Sequence, residues 1–111
     1  MAAAAWLLRD GEVLAALEVA QSRADRMRGL LGRDGIDGAM LIRRTRSVHS
    51  LGMRFTIDVA FCDRSLVVVR TVCLPPSRVT RPSLRGRCVI EAESGAFERW
   101  KLRAGDRLEI G

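Results

Sequence analysis

The chain has 111 residues, of which 48% are hydrophobic and 29% charged. That is enough for one domain with a real core, and too apolar for a disordered tail. Nineteen basic residues against 13 acidic ones give a formal charge of +6, and no apolar run approaches the roughly 18 residues that a membrane-spanning helix needs.

Met1 to Leu8 resembles the apolar centre of a secretion signal. It lacks a basic start, and Arg9, Asp10 and Glu12 end it after about seven residues. Unpaired cysteines also suit a reducing compartment, so a cytoplasmic location is expected. Arg9-Asp10-Gly11 reads as a turn after a short strand at Trp6 to Leu8. From Glu12 to Ala20, Val13, Ala15, Leu17 and Val19 alternate with the period of a half-buried strand. Ser22 and Asp25 form a capping pair that opens a helix from about Arg23 to Leu31. Gly29 inside that helix implies the close passage of another backbone, and Gly32 is placed to end it.

A short apolar run, Ala39 to Ile42, precedes a polar stretch from Arg43 to Ser50. Thr56 to Cys62 reads as a strand with Ile57, Val59 and Phe61 on one face and Asp58, Ala60 and Cys62 on the other. The turn Asp63-Arg64-Ser65 leads to a returning strand, Leu66 to Leu74, which Pro75-Pro76 ends. Residues 77 to 86 form a basic loop. Arg87 to Glu93 is a further strand, Phe97 to Trp100 a short helical turn, and Arg107 to Ile110 a terminal strand. One helix in the N-terminal half and six to eight short strands predict a mainly β fold, a small barrel or jelly-roll-like sandwich, in a single domain spanning residues 1 to 111.

Several residues are placed where chemistry is possible. His49 is the only histidine, the side chain that titrates nearest neutrality. Asp58 and Glu91 sit in mid-strand, where acids are poor strand formers. Each either faces solvent, accepts backbone N–H groups and pins a loop, or serves as a general acid or base. Arg54 can clamp an anion or pair with Asp58 four residues on. Ser50 and Cys62 are nucleophile candidates beside His49, without an elbow motif or an orienting third group. Cys62, Cys73 and Cys88 lack the paired spacing of a zinc site and read as buried thiols. Gly32, Gly35 and Gly38 lack the lysine and the setting of a phosphate cradle. No cofactor or metal is implied.

Several motifs in order resemble the small bacterial and archaeal DUF192 family, also called UPF0127. Met27-Arg28-Gly29-Leu30-Leu31-Gly32-Arg33 is similar to its "GLMGR" stretch, and Met53 with Ile57-Asp58-Val59-Ala60-Phe61 to its "IDV-x-F" strand. Pro75-Pro76, Val89-Ile90-Glu91 with Gly95, and Gly105-Asp106 resemble its remaining elements. The resemblance implies a β-rich fold with one helix and an unassigned biochemical function. Asp63-Arg64-Ser65 departs from the family's glycine-bearing hairpin turn, which puts that turn's type and register in question.

Residues and resemblance together point to a non-enzymatic domain that binds a small molecule or a protein. His49, Met53, Arg54, Asp58, Glu91 and Gly95 form its candidate rim. A hydrolase-like acid–base enzyme using Asp58, Glu91 and His49 is the alternative. Nucleic-acid binding ranks third: residues 43 to 87 hold ten arginines against two acids, yet aromatics are 5%, tyrosine is absent, and no stacking or helix-turn-helix motif occurs.

Overall fold

The structure is a computed structural model and describes residues 3–20 and 29–111. The expected helix at 23 to 31, with its Ser22–Asp25 cap, lies for the most part outside the described residues. Its last three positions, Gly29 to Leu31, are in a turn. Seven strands follow in chain order: β1 (Ala3–Arg9), β2 (Glu12–Ala20), β3 (Ala39–Arg43), β4 (Ile57–Cys62), β5 (Val68–Leu74), β6 (Cys88–Glu93) and, after the short helix α1 (Ala96–Trp100), β7 (Glu109–Ile110).

All seven strands belong to one sheet of order β5-β4-β6-β3-β2-β1-β7. Every pairing is antiparallel except β2 with β3, which run parallel. The fold is mainly β, as expected, but its strands form a single sheet that is not closed into a barrel. Its ends do approach one another. Val67 and Arg107 form one isolated bridge, supported by bonds from Val68 N to Asp106 O (2.8 Å), Gly105 N to Val68 O (2.7 Å) and Leu108 N to Leu66 O (2.9 Å). No continuous ladder closes the sheet, because β7 is only two residues long.

Both faces of the sheet are covered, which explains why β4 is buried at all six positions. Ala60, Cys62, Cys88, Ile90, Ala92 and Leu41 pack on one face with Phe97 and Leu102. Ile57, Val59, Phe61, Val89, Met40 and Ile42 pack on the other with Leu30, Ile36 and Val48. Burying these side chains stabilises the fold by about 25 cal/mol for each Å² of apolar surface removed from water. Cys62 and Cys88 are buried as expected, whereas Cys73 on edge strand β5 is exposed.

Among the turns whose backbone L-residues rarely adopt, two bear on the sheet. In the β4–β5 hairpin the left-handed position falls on Leu66, at φ +63°, in the turn that lacks the family's glycine. Asp63 supports it, its Oδ1 accepting from Ser65 N (2.9 Å) and Val67 N (3.0 Å). The ladder takes up the extra residue as a register shift between Phe61 and Cys62. Gly38, at φ +84°, enters β3 where a Cβ would lie 2.4 Å from the carbonyl oxygen of Ala16. Only glycine fits there.

Candidate functional site

Strand pairing decides which candidate residues can meet. Asp58 lies opposite Ala92 on β6 and Cys73 on β5, while Glu91 lies opposite Val59 on β4 and Met40 on β3. Asp58 and Val59 are neighbours in one strand, so their side chains leave on opposite faces. The two acids are therefore separated by the sheet. The six rim candidates divide accordingly: Glu91, His49 and Met53 gather on one face, and Asp58 with Gly95 on the other. Arg54 joins neither group. Its guanidinium pairs with Asp34 at 2.7 Å on the exposed surface, not with Asp58.

Asp58 holds a loop. It is 7% exposed, and its Oδ2 accepts from Gly95 N at 3.0 Å and Phe97 N at 3.1 Å. These amides open α1, where a helix has no acceptors of its own. The cap residue is Gly95 at φ +94°, with no side chain to offer. A carboxylate from the neighbouring strand does what a capping serine or aspartate ordinarily does. Of the three roles open to Asp58 in the sequence, this is the pinning of a loop.

Glu91 has a different setting. It is 4% exposed, and burial pushes its carboxyl up to about 7. Among the described residues no hydrogen-bond donor or cation reaches it. It borders a cavity of about 90 Å³ whose walls include Gly29, Leu30, Ile42, Val48, Met53 and Ile57, with Thr45, Ser47 and His49 supplying the polar atoms. Gly29 has φ +49°, and a Cβ there would sit 3.3 Å from Ile42 Cδ1 and 3.8 Å from Glu91 Oε1. The close neighbours of Gly29 are thus side chains of the cavity, not the passing backbone expected from the sequence.

The polar wall of the cavity is held by hydrogen bonds to the basic loop. His49 pairs with Val79 in an isolated bridge. Val48 N donates to Thr80 Oγ1 (2.9 Å), Thr80 N to Val48 O (2.8 Å), and Ser83 N to Arg46 O (2.7 Å). Ser50 is fully buried. Its hydroxyl donates to Pro75 O and accepts from Arg78 N at 2.9 Å, so it acts as a staple, buried and with its proton committed to a backbone carbonyl. The neighbouring Cys88 thiol, and then burial, raise the Cys62 thiol, which keeps it protonated and unreactive. Thr45, Ser47 and Thr80 are not singled out by the sequence, because short polar side chains in a loop carry no local signal; Thr80 meets Val48 from 32 residues away.

Among the described residues no group of three or more histidine, cysteine, aspartate or glutamate side chains is arranged to hold a metal. No helix there is long and apolar enough to cross a membrane.

With this geometry in view, the chain can be set beside known proteins. It is 37% identical over 67 residues to the UPF0127 protein PF1050 of Pyrococcus furiosus, and 36% identical over 67 residues to the UPF0127 protein PH1112 of Pyrococcus horikoshii. Each alignment spans 60% of this chain and 58% of the relative. A crystal structure of a protein of unknown function from Novosphingobium aromaticivorans superposes with a TM-score of 0.79 at 16% identity, covering 97% of this chain and 84% of that one. One from Sinorhizobium meliloti, titled a "putative transcription regulator", gives 0.77 at 21% identity, covering 99% and 94%. At such identities the likeness establishes the fold alone. Residues 6–110 match the model of the family described as DUF192, uncharacterised ACR, COG1430, and the chain belongs to that family.

Proposed function

We propose that this protein is a non-enzymatic binding domain that takes the head group of a small ligand into the Glu91 cavity. One observation carries the reading: a carboxyl 4% exposed, without a partner among the described residues, borders an internal space. Burying a carboxyl alone costs several kcal/mol unless something satisfies it. A guest with N–H donors, such as an ammonium or amidinium group, supplies a partner.

Size defines how much of the guest enters. About 90 Å³ is well below the roughly 300–1,000 Å³ of a site that encloses a whole drug-sized molecule. The head group enters, and the rest of the ligand lies across the mouth beside exposed His49. Met53 and Ile42 give it an apolar collar. The hydrolase reading, with Asp58, Glu91 and His49 around one cleft, loses its support because Asp58 is on the far face and engaged with α1.

Methylammonium, ethylammonium and guanidinium chloride titrated into labelled protein at pH 8 serve as head-group probes. Saturable amide shift changes at Gly29, His49, Met53 and Glu91 are expected, at least tenfold weaker in Glu91→Gln. Shifts that fail to saturate, or that persist unchanged in the variant, refute the reading.

A further inference from the structure

The end of the sheet opposite α1 carries a second concavity, of about 490 Å³, lined by Arg43, Arg44, Arg46, Arg64, Arg87, Asp63, Leu66 and Cys88. Its arginines come from three separate elements: the exit of β3, the β4–β5 turn and the entry of β6. Because β6 runs antiparallel to both β3 and β4, these three ends necessarily meet. The ten arginines of residues 43 to 87 are thus not evenly spread. Half of them surround one hollow.

Five arginines lining one hollow give it a positive potential that favours an anion there. Among the described residues the ion pairs are Arg9–Asp106, Arg33–Glu18, Arg54–Asp34 and Arg99–Glu93, and none involves an arginine of the hollow. The one acid there, Asp63, has its Oδ1 committed to the backbone of its own turn. Arg87 spends Nη1 on Leu84 O and Gly86 O, which fixes its side chain. Arg44 is held at φ +56°, a left-handed conformation that residues other than glycine rarely adopt. The segment that turns there sends Thr45 and Ser47 to the Glu91 cavity and Arg44 and Arg46 to the hollow. The two sites share no lining residue.

We propose that this hollow binds a compact polyphosphate, two or three linked phosphoryl groups, either free or carried on a small molecule. Guanidinium forks match pairs of phosphate oxygens. The volume suits a ligand of that size. No aromatic side chain lines the hollow, so nothing there stacks on a base. The charges converge on one point and do not follow a stripe along which a nucleic-acid strand runs. These features favour a short polyanion over DNA or RNA.

Calorimetric titration with sodium tripolyphosphate, and separately with ATP, tests the proposal in the full chain, with sodium sulfate at matched ionic strength as the control. One-to-one binding of tripolyphosphate is expected, with amide shifts at Arg43, Arg44, Arg46, Arg64 and Arg87. Equal affinity for ATP assigns the site to the free phosphate chain, and tenfold tighter ATP assigns it to a carried one. Arg44 and Arg64 are exposed, so the double variant Arg44→Gln, Arg64→Gln should keep the melting temperature while binding at least tenfold more weakly. Absence of binding, equal binding of sulfate, or full affinity in the double variant overturns the proposal. So does a DNA or RNA oligonucleotide that binds at this face and is not displaced by tripolyphosphate. If the double variant melts early, the shift map on the unaltered chain decides, and changes elsewhere refute the assignment.

Discussion

Replacing Glu91 by glutamine leaves its shape and removes its charge, which makes the cost of the buried carboxylate directly measurable. Burial raises this carboxyl from 4.5 in the open chain to about 7 in the fold. The folded state therefore holds the proton more tightly, so this group's contribution is most favourable below pH 4.5 and is lost as the pH rises toward 7. At about 1.4 kcal/mol per unit, the loss amounts to roughly 3 kcal/mol between pH 4 and pH 8. A glutamine at position 91 resembles the protonated acid at every pH. The two proteins should be of similar stability near pH 4, and the variant about 3 kcal/mol more stable near pH 8. Urea denaturation of both from pH 4 to pH 8 yields the difference, in which all other titrating groups cancel. A difference that stays flat, or that grows toward acid, refutes a Glu91 carboxyl whose proton is held by burial.

Removing the Asp58 carboxylate leaves two amides at the start of α1 without an acceptor. Asp58→Ala should cost about 2–4 kcal/mol, seen as a lower urea midpoint and faster exchange of the Gly95 and Phe97 amides; exchange unchanged at both refutes the capping role. The thiols should divide by exposure. A dithiobis-nitrobenzoate assay is expected to titrate Cys73 rapidly in the native protein, and Cys62 and Cys88 only after denaturation. Rapid release of a second equivalent counts against the buried pair.

How far the sequence reaches is clearest at the two mid-strand acids. Both were flagged by the same anomaly, an acid flanked by apolar residues in an extended run, and both proved to be buried. The anomaly contains no information on which face each acid takes relative to the other. That depends on the register between β4 and β6, a pairing of residues more than thirty positions apart, and shifting it by one residue would have placed the acids together. Arg54 illustrates the same limit, since its partner Asp34 lies twenty residues earlier and not at the helical spacing that suggested Asp58. The strands themselves were legible because alternation and turn residues are local signals. Whether they close a barrel was not, since closure depends on β7, whose two residues carry almost no pattern. The arginine excess was visible as composition, but its convergence on one hollow follows only from three strand ends meeting.

The pairing of β7 with β1 bears on how the polypeptide folds as it is synthesised. Trp6 and Gly111 exchange both backbone bonds, at 2.8 and 3.0 Å, so the outer edge of β1 waits about a hundred residues of synthesis for its cover. Until then it presents free amides and carbonyls that can template pairing with another nascent chain. Arg9, Asp10 and Glu12 at its hairpin turn put charge beside that edge, the kind of residue that discourages such pairing during the wait.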